Sequence, residues 1–150
     1  MKFKYLVLIT VLLATSVLSC KAQESKWKYA DYKRYKSIKK AIKNKSDVVV
    51  LDLSSKGLKS IPSEVFELDN LKVLILVDNE ISSLPGDIQR LHNLERLELM
   101  KNKLKALSTE LTQLKKLERL NVVYNEIYEK DVKFLKDELP NCFVLTDVIL

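Results

Sequence analysis

The hydrophobic positions of this chain recur with a period of 23 residues from Val48 to Lys116. Val48-Val49-Val50-Leu51-Asp52-Leu53 opens one unit, Leu71-Lys72-Val73-Leu74-Ile75-Leu76 the next, and Leu94-Glu95-Arg96-Leu97-Glu98-Leu99 a third. Leu117-Glu118-Arg119-Leu120-Asn121-Val122 starts a fourth that later diverges. In the third unit Leu97 and Leu99 alternate with Arg96 and Glu98, the period-two pattern of a short strand with one buried face. Leu104 and Leu107 then return to the core, and Glu110 to Leu114 predicts a short helical turn burying Leu111 and Leu114. Stacked units align Leu51, Leu74, Leu97 and Leu120 in one column and Leu58, Ile81, Leu104 and Ile127 in another. No unit can bury its leucines alone, so stability is a property of neighbours.

The shared phrase LxxLxLxxN, followed by an apolar pair, a Pro and an amphipathic run, resembles the leucine-rich repeat family over about residues 35 to 145. Fixed periods of this length are the mark of solenoids. The resemblance implies an α/β solenoid: a short arc with a parallel β-sheet on its concave face and helical caps at both ends. It also implies that Asn79, Asn102 and Asn125 turn inward, where their amides satisfy backbone groups at the strand exit. The first unit has Lys56 at that position, followed by Gly57. Pro62 and Pro85 hold the following turn in two units; Ser108 stands there in the third and predicts a looser turn.

The ends depart from the period. Ser37 to Lys43 predicts a short helix with Ile38, Ala41 and Ile42 on one side and Ser37 as N-cap. Asp131 to Glu138 predicts a second helix, with Asp131 near its N-cap and Phe134, Leu135 and Leu139 toward the core, stopped by Pro140. Asn141 to Leu145 then supplies a closing strand whose register stays open. The repeat domain is therefore placed at 37–150: an N-terminal cap at 37–47, units at 48–70, 71–93, 94–116 and 117–139, and the closing strand within 140–150.

Residues 1–19 read as an export signal: Lys2 and Lys4, then an uncharged and mostly apolar run from Tyr5 to Leu18 that is short for a membrane span. Val17-Leu18-Ser19-Cys20 resembles the bacterial lipobox, which implies lipidation of Cys20 and anchoring to the cell envelope, at the outer membrane or cell surface. Cleavage after Ala22, giving a secreted or periplasmic protein, and an uncleaved anchor are the alternatives. Residues 20–36 form a basic, aromatic tether, either a solvated spacer or a contact for anionic lipid. The formal charge is +6 overall, but residues 20–47 hold ten Lys or Arg against three acidic residues. The repeat units are net acidic, so the charge argues against nucleic acid as a partner.

Candidate chemistry is sparse. His92 is the lone histidine and has no ligand-forming companions at metal-binding spacing. No glycine-rich phosphate loop or nucleophile elbow occurs, so the chain is expected to be non-enzymatic, without cofactor or metal. Cys142 sits in apolar company and predicts a packed thiol rather than a reactive one. On the strands, the outward positions would line the concave face. Val73, Ile75, Val77, Met100, Val123 and Tyr124 would make an apolar band, flanked by Arg96 and Arg119 beside Glu98. Such a band predicts a protein-binding surface for a partner of unknown identity, or a homodimer contact. The competing reading is that β-branched residues merely suit a strand, or that the caps cover part of the band.

Overall fold

The computed structural model describes residues 28–147. The chain divides into two compact units, Met1–Tyr32 and Lys33–Leu150. In the first, residues 28–32 make a turn: the Tyr32 N–H donates to the Tyr29 carbonyl at 3.2 Å, and the two rings stand with centroids 5.6 Å apart. The leader, Cys20 and the alternative cleavage site lie outside the described residues. Among the described residues no helix is long and apolar enough to cross a membrane.

The second unit is built on a six-stranded parallel sheet in sequence order. Its strands are β1 (Arg34–Tyr35), β2 (Val50–Asp52), β3 (Val73–Ile75), β4 (Arg96–Glu98), β5 (Arg119–Asn121) and β6 (Phe143–Leu145). The first lies in the stretch assigned to the tether: Tyr35 pairs with Leu51 and is buried. Parallel neighbours need a long crossover between them, and the 23-residue period supplies it. Leu51, Leu74, Leu97, Leu120 and Val144 are successive register partners. The four leucines of this column are fully buried, and each contributes roughly 1.5–3 kcal/mol by leaving water. Ile81, Leu104 and Ile127 form the second column, with Leu58 packed against it.

The returning limb of each repeat is a 3-10 turn, at Ser63–Glu67, Gly86–Arg90 and Thr109–Gln113. All three open with the same bond: Val65, Ile88 and Leu111 N–H to the carbonyls of Pro62, Pro85 and Ser108, at 3.0, 3.0 and 3.1 Å. Ser108 does not loosen its turn. Its φ of −68° and ψ of 134° match the −58° and 137° of Pro62, and its hydroxyl bonds the Glu110 carboxylate. That bond is the main reason the Glu110 carboxyl ionises below its ordinary range.

A helix lies beside the 3-10 column at each end of the sheet. Helix α1 (Ile38–Ile42) buries Ala41 and packs Ile38 and Ile42 on the core. Ser37 caps it by its backbone carbonyl, which accepts from the Ala41 N–H at 2.9 Å; its hydroxyl makes no capping bond. Helix α2 (Glu129–Glu138) starts two residues before the predicted position, with Tyr128 as N-cap. Val132, Leu135 and Leu139 are buried, whereas Phe134 is 45% exposed. Val132, Leu135 and Leu139, spaced i, i+3 and i+7, make the core stripe. Phe134 follows Val132 by two residues, about 200° around the helix, and so leaves the core stripe. Asp131 serves the neighbouring repeat instead of the helix end: its carboxylate accepts from the Leu107 N–H at 3.3 Å.

Candidate protein-binding surface

The turn at each strand exit is where side-chain chemistry fixes the surface. Asn79 Nδ2 donates to the carbonyls of Leu76 and Leu53, both at 3.0 Å. Its Oδ1 accepts from the N–H groups of Lys56 and Leu58 at 3.0 Å. Asn102 donates to Leu99 and Leu76 and accepts from Ile81. Asn125 donates to Val122 in its own strand exit and to Leu99 one repeat earlier, and accepts from Leu104. Each Asn therefore closes its own turn and the one before it. Buried backbone groups left without such partners would be costly. The Lys56 turn has no Asn of its own and is closed by Asn79 alone.

The residue preceding each column position is left-handed: Ser55, Asp78, Lys101 and Tyr124 have φ of 53°, 59°, 56° and 59°. This geometry ordinarily favours Gly, yet all four positions carry side chains. The N–H groups of Ser55, Asp78 and Lys101 bond the carbonyls of Val77, Met100 and Val123 at 3.0, 3.0 and 2.9 Å. Those bonds continue the sheet past the formal strand ends and bring Val77, Met100 and Val123 into one row. The Tyr124 N–H bonds the Asp147 carboxylate instead, at 3.1 Å.

Three rows of outward side chains result. The first runs Arg34, Val50, Val73, Arg96, Arg119 and Phe143 by register. Here the expected band is corrected: Val73 is fully buried and offers nothing to a partner. In a parallel sheet a side chain has row neighbours about 4.8 Å away on both sides, and Val50 and Arg96 flank Val73. Ile75, Val77, Met100 and Val123 are half-buried, while Tyr124 is 63% exposed. The accessible apolar band thus runs from Ile75 and Val77 across Met100 to Val123 and Tyr124.

Glu98 is likewise not the outward charge expected; it is buried. Arg96 Nε donates to its Oε1 at 2.6 Å, Arg119 Nε to the same oxygen at 3.3 Å, and Asn121 Nδ2 to Oε2 at 2.8 Å. One carboxylate thereby holds two guanidinium groups side by side against their mutual repulsion. The Arg119 guanidinium also lies 5.9 Å from the centre of the Phe143 ring, within cation–π reach.

Phe143, 60% exposed, is a surface residue that sequence reasoning missed. The step from Arg119 to Phe143 is one residue longer than the period that relates Val73, Arg96 and Arg119. Its row could not be read from the repeat. Asn121 was visible as an outward position, but nothing in the pattern marked it as a partner for Glu98.

His92 and Cys142 lie away from the apolar band. His92 is exposed. Cys142 is buried, and loss of water pushes its thiol up to about 11, so the reactive thiolate is scarce at neutral pH. No three His, Cys, Asp or Glu residues among those described could hold a metal ion together. Two open hollows, of about 250 Å³ beside Glu95 and Asn141 and about 320 Å³ beside Ile38 and Lys56, lie off the band.

The comparisons agree with this architecture. A model of the leucine-rich repeat region matches residues 28–145. A leucine-rich repeat protein of Leptospira interrogans is 34% identical with a TM-score of 0.61, over 69% of this chain and 27% of that one. The ectodomain of the receptor kinase SOBIR1 from Arabidopsis thaliana is 27% identical with a TM-score of 0.53, over 67% of this chain and 55% of that one. Internalin C2 of Listeria monocytogenes is 25% identical with a TM-score of 0.54, over 73% and 45%. The chain thus spans from about a quarter to about half of these structures. Among curated proteins no significant match was found. A matched family model over most of the chain, an unbroken leucine column and an asparagine at three successive strand exits lead to one conclusion: the chain belongs to the leucine-rich repeat family.

Proposed function

We propose that the chain is an exported, non-catalytic module, anchored by lipid on Cys20, whose concave sheet binds a protein partner. The fold is that of a protein-interaction module. The observation that carries the site is the row Val77, Met100 and Val123, set in register and ending at the exposed Tyr124. Beside it Glu98 fixes Arg96 and Arg119, so apolar area adjoins oriented donors, the composition of a recognition surface. The double variant Met100→Glu with Val123→Glu tests it. Both side chains are only half-buried, so circular dichroism should be unchanged while crosslinked capture of the partner from envelope fractions is lost. Capture at the wild-type level would move the site elsewhere.

Anchoring rests on the Val17-Leu18-Ser19-Cys20 motif. Radioactive palmitate should label the wild-type chain and not Cys20→Ala. Absence of label from the wild type favours cleavage after Ala22 and a secreted protein. Label that survives the substitution would mean attachment at another residue.

A further inference from the structure

We propose that two copies of this chain join through the open edge of β6, antiparallel about Val144, to make one continuous sheet. The ladder with β5 sets the geometry. The Phe143 N–H donates to the Glu118 carbonyl at 2.8 Å, and the Leu145 carbonyl accepts from the Val122 N–H at 2.9 Å. Bonding groups alternate along a strand, so the N–H and C=O of Val144 are directed away from β5. Among the described residues no strand lies beyond β6. A residue with both groups outward can exchange two hydrogen bonds with its own copy across a two-fold axis, which is the hydrogen-bonded pair of an antiparallel ladder.

The side chains fit the same axis. Antiparallel pairing about Val144 sets Phe143 opposite Leu145 of the second copy, twice over. Opposed side chains at such non-hydrogen-bonded positions lie about 4.5–5.5 Å apart at Cβ. An aromatic ring that is 60% exposed in the single chain gains an aliphatic neighbour.

Charge selects this edge. The segment Cys142-Phe143-Val144-Leu145-Thr146 carries no ionisable charge at neutral pH, the buried thiol included. The other edge, β1, is flanked by Lys33, Arg34 and Lys36, and self-pairing there would oppose like charges. Charged edges are a common guard against strand addition; β6 lacks that guard. The pairing is argued from Phe143, Val144 and Leu145 and from none of Met100, Val123 and Tyr124, so it stands independently of the proposed partner surface.

Sedimentation of the full chain in detergent, with Cys20→Ala to remove lipid-driven association, tests the pairing. The wild-type edge should show twice the single-chain mass as concentration rises. Phe143→Lys with Leu145→Lys opposes like charges across the axis and should return the single mass. Phe143→Lys with Leu145→Glu opposes unlike charges and should restore the doubled mass. Circular dichroism on each variant reports whether the sheet is intact. A wild-type edge that stays at single mass up to its solubility limit overturns the proposal. A doubled mass that persists in the Lys/Lys variant also overturns it, because association then runs through another face.

Discussion

Leu97 and Glu98 are neighbours in one strand, yet they obey different rules. Leu97 belongs to a column that reads Leu51, Leu74, Leu97 and Leu120, the same side chain at every level. Glu98 belongs to a row that reads Asp52, Ile75, Glu98, Asn121 and Leu145, different at every level. The inner column answers to packing, which is the same problem in each repeat. The outer row answers to its local neighbours and to whatever docks there. The repeat is therefore a scaffold on one face and a variable surface on the other.

The sharpest way to break this contrast is to cut the column. Leu97→Ala removes a fully buried side chain and should cost about 2–5 kcal/mol, read as a lower denaturant midpoint. A mutant melting within a degree of wild type would mean that the column is not the stabilising core.

Next in size is the turn. Asn102→Ala strands the N–H of Ile81 and takes one of two amide donors from each of the carbonyls of Leu76 and Leu99, which keep Asn79 and Asn125. We expect a loss of about 2–3 kcal/mol in chemical denaturation. Lys56→Asn sharpens the point from the other side. Its own strand exit is already bonded by Asn79, so the change should stay within about 0.5 kcal/mol. A large gain there would show that the first turn was short of a partner.

The outer row should respond less than the leucine column or the Asn102 turn. Glu98→Gln leaves shape but removes the charge shared by Arg96 and Arg119, whose side chains are 28% and 34% exposed. Solvent screening of the two guanidinium groups reduces the cost to about 1 kcal/mol. Thermal melts in low and high salt check it, because the difference from wild type should shrink as salt screens the pair. Loss of stability equal to that of Leu97→Ala would erase the distinction between the two faces.

The same contrast explains what was legible beforehand. The leucine columns and the asparagine positions repeat, so a period revealed them, and strand alternation separated inward from outward residues. The fate of each outward residue was not periodic. Val73 looked available because β-branched residues occur on either face of a strand; its burial depends on neighbours from other repeats. Glu98 looked solvated because nothing local announced that two arginines and an asparagine would converge on it. Phe134 was misplaced because Val132, not Phe134, shares the i, i+3, i+7 stripe with Leu135 and Leu139. Phe143 was hidden by the extra residue that shifts β6 relative to the period.

The asparagine bonds have a direction, and it matters for how the chain acquires its structure. Asn79, Asn102 and Asn125 each reach back to the turn one period earlier. During synthesis, a turn leaving the ribosome holds only the bond from its own Asn until the next repeat emerges behind it. Removing repeats from the carboxyl side would leave the turn that becomes last with its own Asn bond alone, whereas removal from the amino side would leave every surviving latch in place. The solenoid has a zipper's polarity, and its slider travels toward the C-terminus.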